Sequence, residues 1–175
     1  MNRSARTLLL LLPVAWLGGC SSPTQSDPDF DVTFTAVPDP ASASGPTGVQ
    51  YKVTNADDSI SLYEYDWRTS FTVNIKDEAG MALDITSINL VVQQAAGGIV
   101  VTPSGGDQVY FKFNSSAVTN HVNKNGSADV GFDVWYDLPS QGKEALITVA
   151  FTFSYTDEDD NEYTYSKSLP VRVAP

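Results

Sequence analysis

Runs in which apolar residues alternate with other residues dominate this chain from residue 29 onward, and this alternation constrains the fold more than any other feature. A period of two is typical of β-strands that bury one face. Turn residues such as Gly45-Pro46 and Asn125-Gly126 separate the runs at intervals of roughly ten to fifteen residues, which is typical of a sandwich or barrel. We therefore predict an all-β domain over residues 29–175, a single antiparallel β-sandwich of seven to nine strands, roughly the number that such sandwiches hold.

Two stretches depart from the regular alternation. Leu83 and Ile85 are followed by Ile88 and Leu90, so the apolar phase shifts by one residue, and we expect either two short strands or a β-bulge there. The segment from Asn114 to Val122 is the only stretch after residue 20 whose pattern is compatible with a helix, and it is short.

The chain is acidic, because 10 Lys and Arg residues oppose 21 Asp and Glu residues and give a formal net charge of −11 over 175 residues. Recognition of nucleic acid needs a basic face, so this charge argues against a nucleic-acid partner. Hydrophobic residues make up 42% of the chain, enough for the packed core of one domain. The single Cys precludes an internal disulfide, and the single His precludes a His-rich metal site.

Residues 1–19 are typical of a secretory signal peptide. Two arginines precede an apolar run from Leu8 to Leu17 that is too short to span a bilayer. The boundary Leu17-Gly18-Gly19-Cys20 resembles the lipobox of bacterial lipoproteins. The resemblance implies that Cys20 receives a diacylglycerol, that the chain is cut just before it, and that the new amine is acylated. The alternative is an ordinary secretory signal with a free Cys beside its cleavage site.

Cleavage before Cys20 removes Arg3 and Arg6 but no acids, so it changes the formal net charge from −11 to −13. Residues 20–28 are polar and aperiodic, and they predict a lipidated tether that reaches about 30 Å when extended. Ser21 stands where retention signals for the inner membrane carry Asp, so the resemblance implies the outer membrane, on its periplasmic face or at the cell surface. The acidity keeps the domain off anionic headgroups, so we expect a membrane or envelope protein as the partner.

Five segments of the C-terminal half carry a second resemblance, at residues 125–130, 137–139, 147–155, 157–161 and 169–173. They resemble bacterial Ig-like and fibronectin-III-like domains. In those domains two long strands meet in an acidic turn, and the last strand ends in a V-x-V stretch at the domain edge. The resemblance implies an Ig-like sandwich of the kind that lacks the conserved disulfide.

Asp157, Asp159 and Asn161 have the spacing of the first three ligands in a D-x-D-x-N calcium loop. Calcium takes roughly six to eight oxygen ligands, so these three side chains are only the start of a site. The Gly and the bidentate Glu of an EF-hand are missing, and the flanks predict strands. The sequence favours a solvated hairpin turn whose charges deter edge pairing. A calcium site completed by another loop, for example by Asp57 and Asp58, is the open alternative.

Tyr63, Tyr65 and Trp67 alternate with charged residues, so in a strand the three aromatic side chains share one face. Such a face, if exposed, stacks on sugars or binds a protein. The other interpretation, which the sequence favours, is that the aromatics pack in the core while the charges face water. Trp135 and Tyr136 are adjacent and therefore lie on opposite faces of their strand.

His121 lies in a polar stretch without any catalytic motif, and we interpret it as a surface residue. We therefore predict a non-catalytic, lipid-anchored interaction module that docks on a membrane or envelope protein complex. We expect no enzyme activity and no cofactor besides the lipid on Cys20. One alternative is a carbohydrate-binding or adhesive surface domain, which aromatics exposed in a row would favour. The other is a small carboxylate-dependent hydrolase, which needs two carboxylates facing each other across a cleft.

Overall fold

The computed structural model describes residues 30–96, 99–101, 109–114, 120–138, 144–157 and 159–175. Within these ranges the chain forms twelve strands and no helix, which confirms the predicted all-β class. The strands are β1 (Val32–Val37), β2 (Ala41–Ser42), β3 (Gln50–Thr54), β4 (Ile60–Glu64), β5 (Trp67–Asp77), β6 (Leu83–Ala96), β7 (Ile99–Val101), β8 (Val109–Phe113), β9 (His121–Val122), β10 (Ser127–Tyr136), β11 (Ala145–Thr156) and β12 (Glu162–Ala174). The predicted signal peptide, Cys20 and the tether lie outside the described residues.

The strands form two larger sheets and one separate hairpin. The four-stranded sheet has the order β1-β5-β10-β8, the six-stranded sheet has the order β2-β12-β11-β6-β7 with β9 also paired to β6, and β3 pairs only with β4. All pairs are antiparallel except β12 with β2, which is parallel. The predicted count of seven to nine strands is therefore too low. Three of the twelve, β2, β7 and β9, are only two or three residues long, too short to produce a periodic signal.

The inward faces of the two larger sheets share one hydrophobic core. In β11 buried residues alternate with half-buried ones along the strand, as the period of two predicts. Phe132 of β10 and Phe34 of β1 reach the opposite sheet and contact Phe151 of β11, with ring centroids 6.3 and 5.2 Å apart. Strand β10 is an exception, because its residues from Val130 to Tyr136 are buried on both faces. Other parts of the chain therefore cover the outward face of β10.

The phase shift in β6 is a β-bulge within one continuous strand, which confirms one of the two alternatives predicted for this stretch. Ser87 pairs with Thr152 and Ile85 pairs with Phe153, so Thr86 is the extra residue. Its hydroxyl donates to the carbonyl of Thr152 at 3.1 Å. The bulge returns the apolar residues on both sides of it to the same inward face.

The stretch Asn114–Val122, whose sequence pattern is compatible with a helix, contains no helix where the structure describes it. Asn114 and Asn120 lie in loops, and His121 and Val122 form β9, which pairs with the first two residues of β6. Residues 115–119 lie outside the described ranges. The pairing supplies backbone partners and buries Val122 completely, so long-range pairing outweighs the weak local pattern.

Candidate binding surface

The three aromatic residues predicted as a shared face do not lie on one strand. Tyr63 belongs to β4 and is 49% exposed, Tyr65 follows the end of β4 and is 4% exposed, and Trp67 begins β5 and packs on the core. A bend at Asp66 separates the two strands, so the alternation does not continue from Tyr63 to Trp67. Trp67 packs on the core, as the favoured interpretation predicts, whereas Tyr65 is buried outside the core cluster, and Tyr63 alone of the three is exposed.

Tyr63 and Tyr65 instead belong to a continuous aromatic column that joins the β3–β4 hairpin to the four-stranded sheet. The column runs from Tyr63 to Tyr51, Tyr65, Tyr110 and Trp135, with successive ring centroids 5.7, 4.4, 6.4 and 5.4 Å apart. The three tyrosine pairs are stacked, with interplanar angles of 28°, 29° and 25°. Tyr65 is buried within the column, whereas Tyr63 and Tyr110 are 49% and 48% exposed.

Asp137, directly after β10, holds the base of the hairpin through two hydrogen bonds, which we call the clasp. Its Oδ2 accepts the Tyr51 hydroxyl at 2.8 Å and its Oδ1 accepts the backbone N–H of Asp66 at 2.7 Å. Burial raises the pKa of the Tyr51 hydroxyl, and the hydrogen bond to Asp137 raises it further. Burial also raises the pKa of the Asp66 carboxyl, together with the negative charges of Asp137 and Glu64. The hairpin is therefore held in place at an acidic base.

Beyond the column, the side chains on the outward face of β10 form cation–π contacts and hydrogen bonds with side chains of the neighbouring strands. The Arg68 guanidinium and the Lys112 ammonium each lie 5.1 Å from the centroid of the Trp135 ring, within cation–π range. The carboxylate of Asp133 accepts hydrogen bonds from Ser70 at 2.5 Å and from Arg68 at 2.9 Å. Burial opposes ionisation of Asp133, but these bonds and the nearby cations outweigh it and hold the pKa of the carboxyl below its usual range.

Within the described residues, the outward face of the hairpin is open to solvent. Ile60 and Leu62 lie on alternate residues of β4 and are 65% and 59% exposed, and Glu64 continues the same row. Their cross-strand partners on β3 are Thr54, Lys52 and Gln50, and all three of these residues are exposed as well. Two large apolar side chains therefore stand side by side in water on a hairpin that the clasp and the column hold in place.

In the acidic turn between β11 and β12, the carboxylate of Asp157 accepts hydrogen bonds from the turn itself and from the start of β12. Oδ1 of Asp157 accepts the backbone N–H groups of Asp159 and Asn161, both at 2.9 Å, and Oδ2 accepts the Tyr163 hydroxyl at 2.9 Å. Hydrogen bonds from the backbone and side chain of Asn161 are the main cause that lowers the pKa of the Asp157 carboxyl. The Asn161 amide nitrogen also faces Asp157. This is the geometry of the favoured hairpin turn, and the calcium site stays an untested prediction.

Of two other predicted features, His121 lies apart from the hairpin and Asp57 lies at its tip. The Nδ1 atom of His121 is 2.7 Å from Oδ1 of Asp84, and both side chains are largely exposed. Within the described ranges no three His, Cys, Asp or Glu residues are placed to hold a metal ion.

The Asp57 carboxylate accepts the backbone N–H of Ser59 at 3.1 Å and its hydroxyl at 2.6 Å, so it caps the tip of the hairpin.

Sequence reasoning missed Tyr51, Tyr110 and Asp137. Tyr110 lies out of phase with the core residues of β8, which marks it as facing outward. Nothing in the local sequence links these positions, because the Tyr51–Asp137 bond joins residues separated by 86 positions.

Comparisons with known proteins do not assign the chain to a family. No protein-family model matches the chain, and no curated protein matches it. In the part of the chain that the structure describes, no helix is long and apolar enough to cross a bilayer. We therefore infer the function of the chain from the sequence signals and from the hairpin surface.

Proposed function

We propose that this chain is a lipid-anchored, non-catalytic interaction module that docks on an envelope protein through its β3–β4 hairpin. In this proposal Cys20 carries the lipid, and the two larger sheets form an Ig-like β-sandwich that presents the hairpin. The mostly antiparallel pairing and the core shared by the two sheets support the sandwich.

The observation that carries the proposal is the exposure of Ile60 and Leu62, at 65% and 59%, on a hairpin whose base is fixed by Asp137. Adjacent exposed apolar side chains on a held element are typical of binding surfaces. Because the column and the clasp restrain the hairpin before binding, docking costs little additional ordering.

The anchor and the charge indicate what kind of partner this surface meets. A tether of nine residues keeps the domain within about 30 Å of the membrane. Cleavage before Cys20 leaves a formal net charge of −13, which opposes binding to anionic lipid and favours a protein with exposed Lys or Arg.

The aromatic column supports protein docking over sugar binding. A sugar ring stacks on an open aromatic face. Tyr65 is stacked with Tyr51 and with Tyr110 and is only 4% exposed, so it offers no open face. Tyr63 and Tyr110, which are 49% and 48% exposed, are the rings of the column that a sugar would reach, and the buried Tyr65 lies between them.

The experiment is affinity capture of the full acylated chain from detergent-solubilised membranes of the producing cells. We expect an envelope protein to be recovered at low salt and less of it at high salt, where charges are screened beyond about 3 Å at 1 M. The Leu62→Ser variant should lose this partner. The matched control is Val91→Ser, since Val91 is also exposed, at 42%, but lies on β6. Recovery of the partner by both variants alike, or of no partner by the wild type, contradicts the proposal.

A further inference from the structure

Among the residues that the structure describes, no strand pairs with the outer edge of β4. Two hydrogen bonds give the phase of the hairpin ladder, Tyr65 N–H to the Val49 carbonyl at 2.9 Å and Asn55 N–H to the Ser59 carbonyl at 2.8 Å. In an antiparallel pair, residues alternate between those that bond to the partner strand and those that face away from it. Ile60, Leu62 and Glu64 therefore turn their backbone N–H and C=O groups away from β3, toward the open edge.

This edge lacks several of the features that usually prevent strand addition, and Glu64 is the one charged residue of β4. Proteins protect edges with Lys, Pro or bulges. The sequence of β4 contains neither Lys nor Pro, and its pairing with β3 has no register shift. Other edges do carry a lysine. Lys52 lies on the outer edge of β3, and Lys112 lies in the edge strand β8. A two-stranded hairpin of five residues per strand is also an incomplete sheet, which a third strand would stabilise.

The charges around the edge indicate the chemistry of that third strand. Residues 50–66 contain four carboxylates and one lysine, a formal net charge of −3. Asp57 and Asp58 lie at the tip, and Glu64 and Asp66 lie near the base beside Asp137. The apolar pair Ile60 and Leu62 lies between these two groups of acids.

We propose that the open edge of β4 accepts an extended, cationic segment of the partner protein as a third strand, an inference that rests on the docking function proposed above. Apolar side chains of the segment pack on Ile60 and Leu62. Its Lys or Arg side chains meet the acids at the tip and base of the hairpin. Addition of a strand to a sheet edge takes its affinity from main-chain hydrogen bonds and its specificity from alternate side chains. A second copy of this chain is disfavoured because its own hairpin would bring carboxylates against carboxylates.

The test is photo-crosslinking of the full-length lipoprotein in the cells that produce it. Benzoylphenylalanine replaces Leu62 in one variant and Val91 in the matched control. We expect an adduct from position 62 and none from position 91. We also expect mass spectrometry to map the adduct to an extended segment with alternating apolar and Lys or Arg residues. An adduct with lipid, with a second copy, or with a helical or acidic segment overturns the proposal, and so does the lack of an adduct.

Two proline variants test the edge itself, made in the chain that carries the crosslinker at position 62. Thr54 and Ile60 are cross-strand partners whose N–H groups face opposite outer edges, so proline at either position removes no bond within the hairpin. We expect Ile60→Pro to lower the adduct yield by about tenfold or more and Thr54→Pro to leave it unchanged. Equal yields from the two variants overturn the strand-addition model.

The two proposals fail in different ways. If capture of an envelope protein depends on Leu62 but the adduct maps to a helical or acidic segment, strand addition is wrong and the docking function stands. If the wild-type chain captures no envelope protein, the docking function itself is wrong.

Discussion

Asp77, at the end of β5, is a buried carboxylate that joins two turns, and its replacement gives the sharpest prediction for stability. The side chain is 2% exposed. Its Oδ1 accepts the backbone N–H of Ala79 at 3.0 Å, and its Oδ2 accepts those of Met81 at 3.0 Å and Asn125 at 2.7 Å. One carboxylate therefore holds the turn between β5 and β6 against the turn that precedes β10.

Asp77→Ala should lower the free energy of unfolding by about 3 kcal/mol. The substitution leaves three backbone donors without an acceptor, and each costs about 1 kcal/mol at the lower end of the usual range, because these bonds are only partly buried. With a urea m-value of about 2–3 kcal/mol/M, the midpoint should fall by about 1–1.5 M. Asp77→Asn should cost less, because its amide keeps one carbonyl oxygen.

The assay is urea unfolding of residues 29–175, followed by the fluorescence of Trp67 and Trp135. The matched control is Asp129→Ala, which removes an exposed carboxylate that bonds only to the Asn74 side chain, at 2.7 Å. We expect the control to change stability by less than about 0.5 kcal/mol. Equal midpoints for Asp77→Ala and Asp129→Ala would refute the assignment of Asp77 as the link between the two turns.

Three further predictions concern the anchor, the clasp and the acidic turn. Cys20→Ala should release the protein from the membrane or leave it as uncleaved precursor, and unchanged membrane association in cell fractions would contradict the lipid anchor. Tyr51→Phe removes the bond to Asp137 and should speed amide exchange in the hairpin but not in β11; equal rates in wild type and variant would count against the clasp. The pKa of the Asp157 carboxyl is lowered in the folded state. The stabilisation that the ionised carboxylate gives the turn is therefore fully present above the ordinary pKa of 3.8, and it is lost as the pH falls through the folded-state pKa. An NMR titration of the Asn161 amide with a midpoint at or above 3.8 would contradict the hydrogen-bonded turn.

The sequence predicted the parts of the fold that depend on local alternation. Burial in β11 follows its apolar phase residue by residue, and the one-residue shift between Ile85 and Ile88 marked the bulge at Thr86. Both signals arise because a strand with one buried face must place apolar side chains with a period of two. The dipeptide His121-Val122 has no such period, so its pairing with β6 could not be predicted locally.

The candidate surface was only partly predictable because it depends on contacts between distant parts of the chain. The aromatic spacing at Tyr63 and Tyr65 drew attention to the right region. The bend at Asp66, however, sends Tyr65 into the column and leaves Leu62 and Ile60 as the exposed side chains. No local pattern distinguishes an exposed Leu in a lone hairpin from a buried Leu in a sheet, since both alternate with polar neighbours.

Hydrogen–deuterium exchange of the β4 amides, in native membranes and after purification in detergent, measures whether a partner covers the outer edge of β4 in the cell envelope. If the hairpin docks through its open edge, the outward amides of Ile60, Leu62 and Glu64 should exchange about tenfold or more slowly in the membranes than after purification. Amides of β11 serve as the internal reference and should exchange alike in both samples. Equal exchange of β4 in the two samples would show that its edge is not covered in the cell envelope, and would contradict the account.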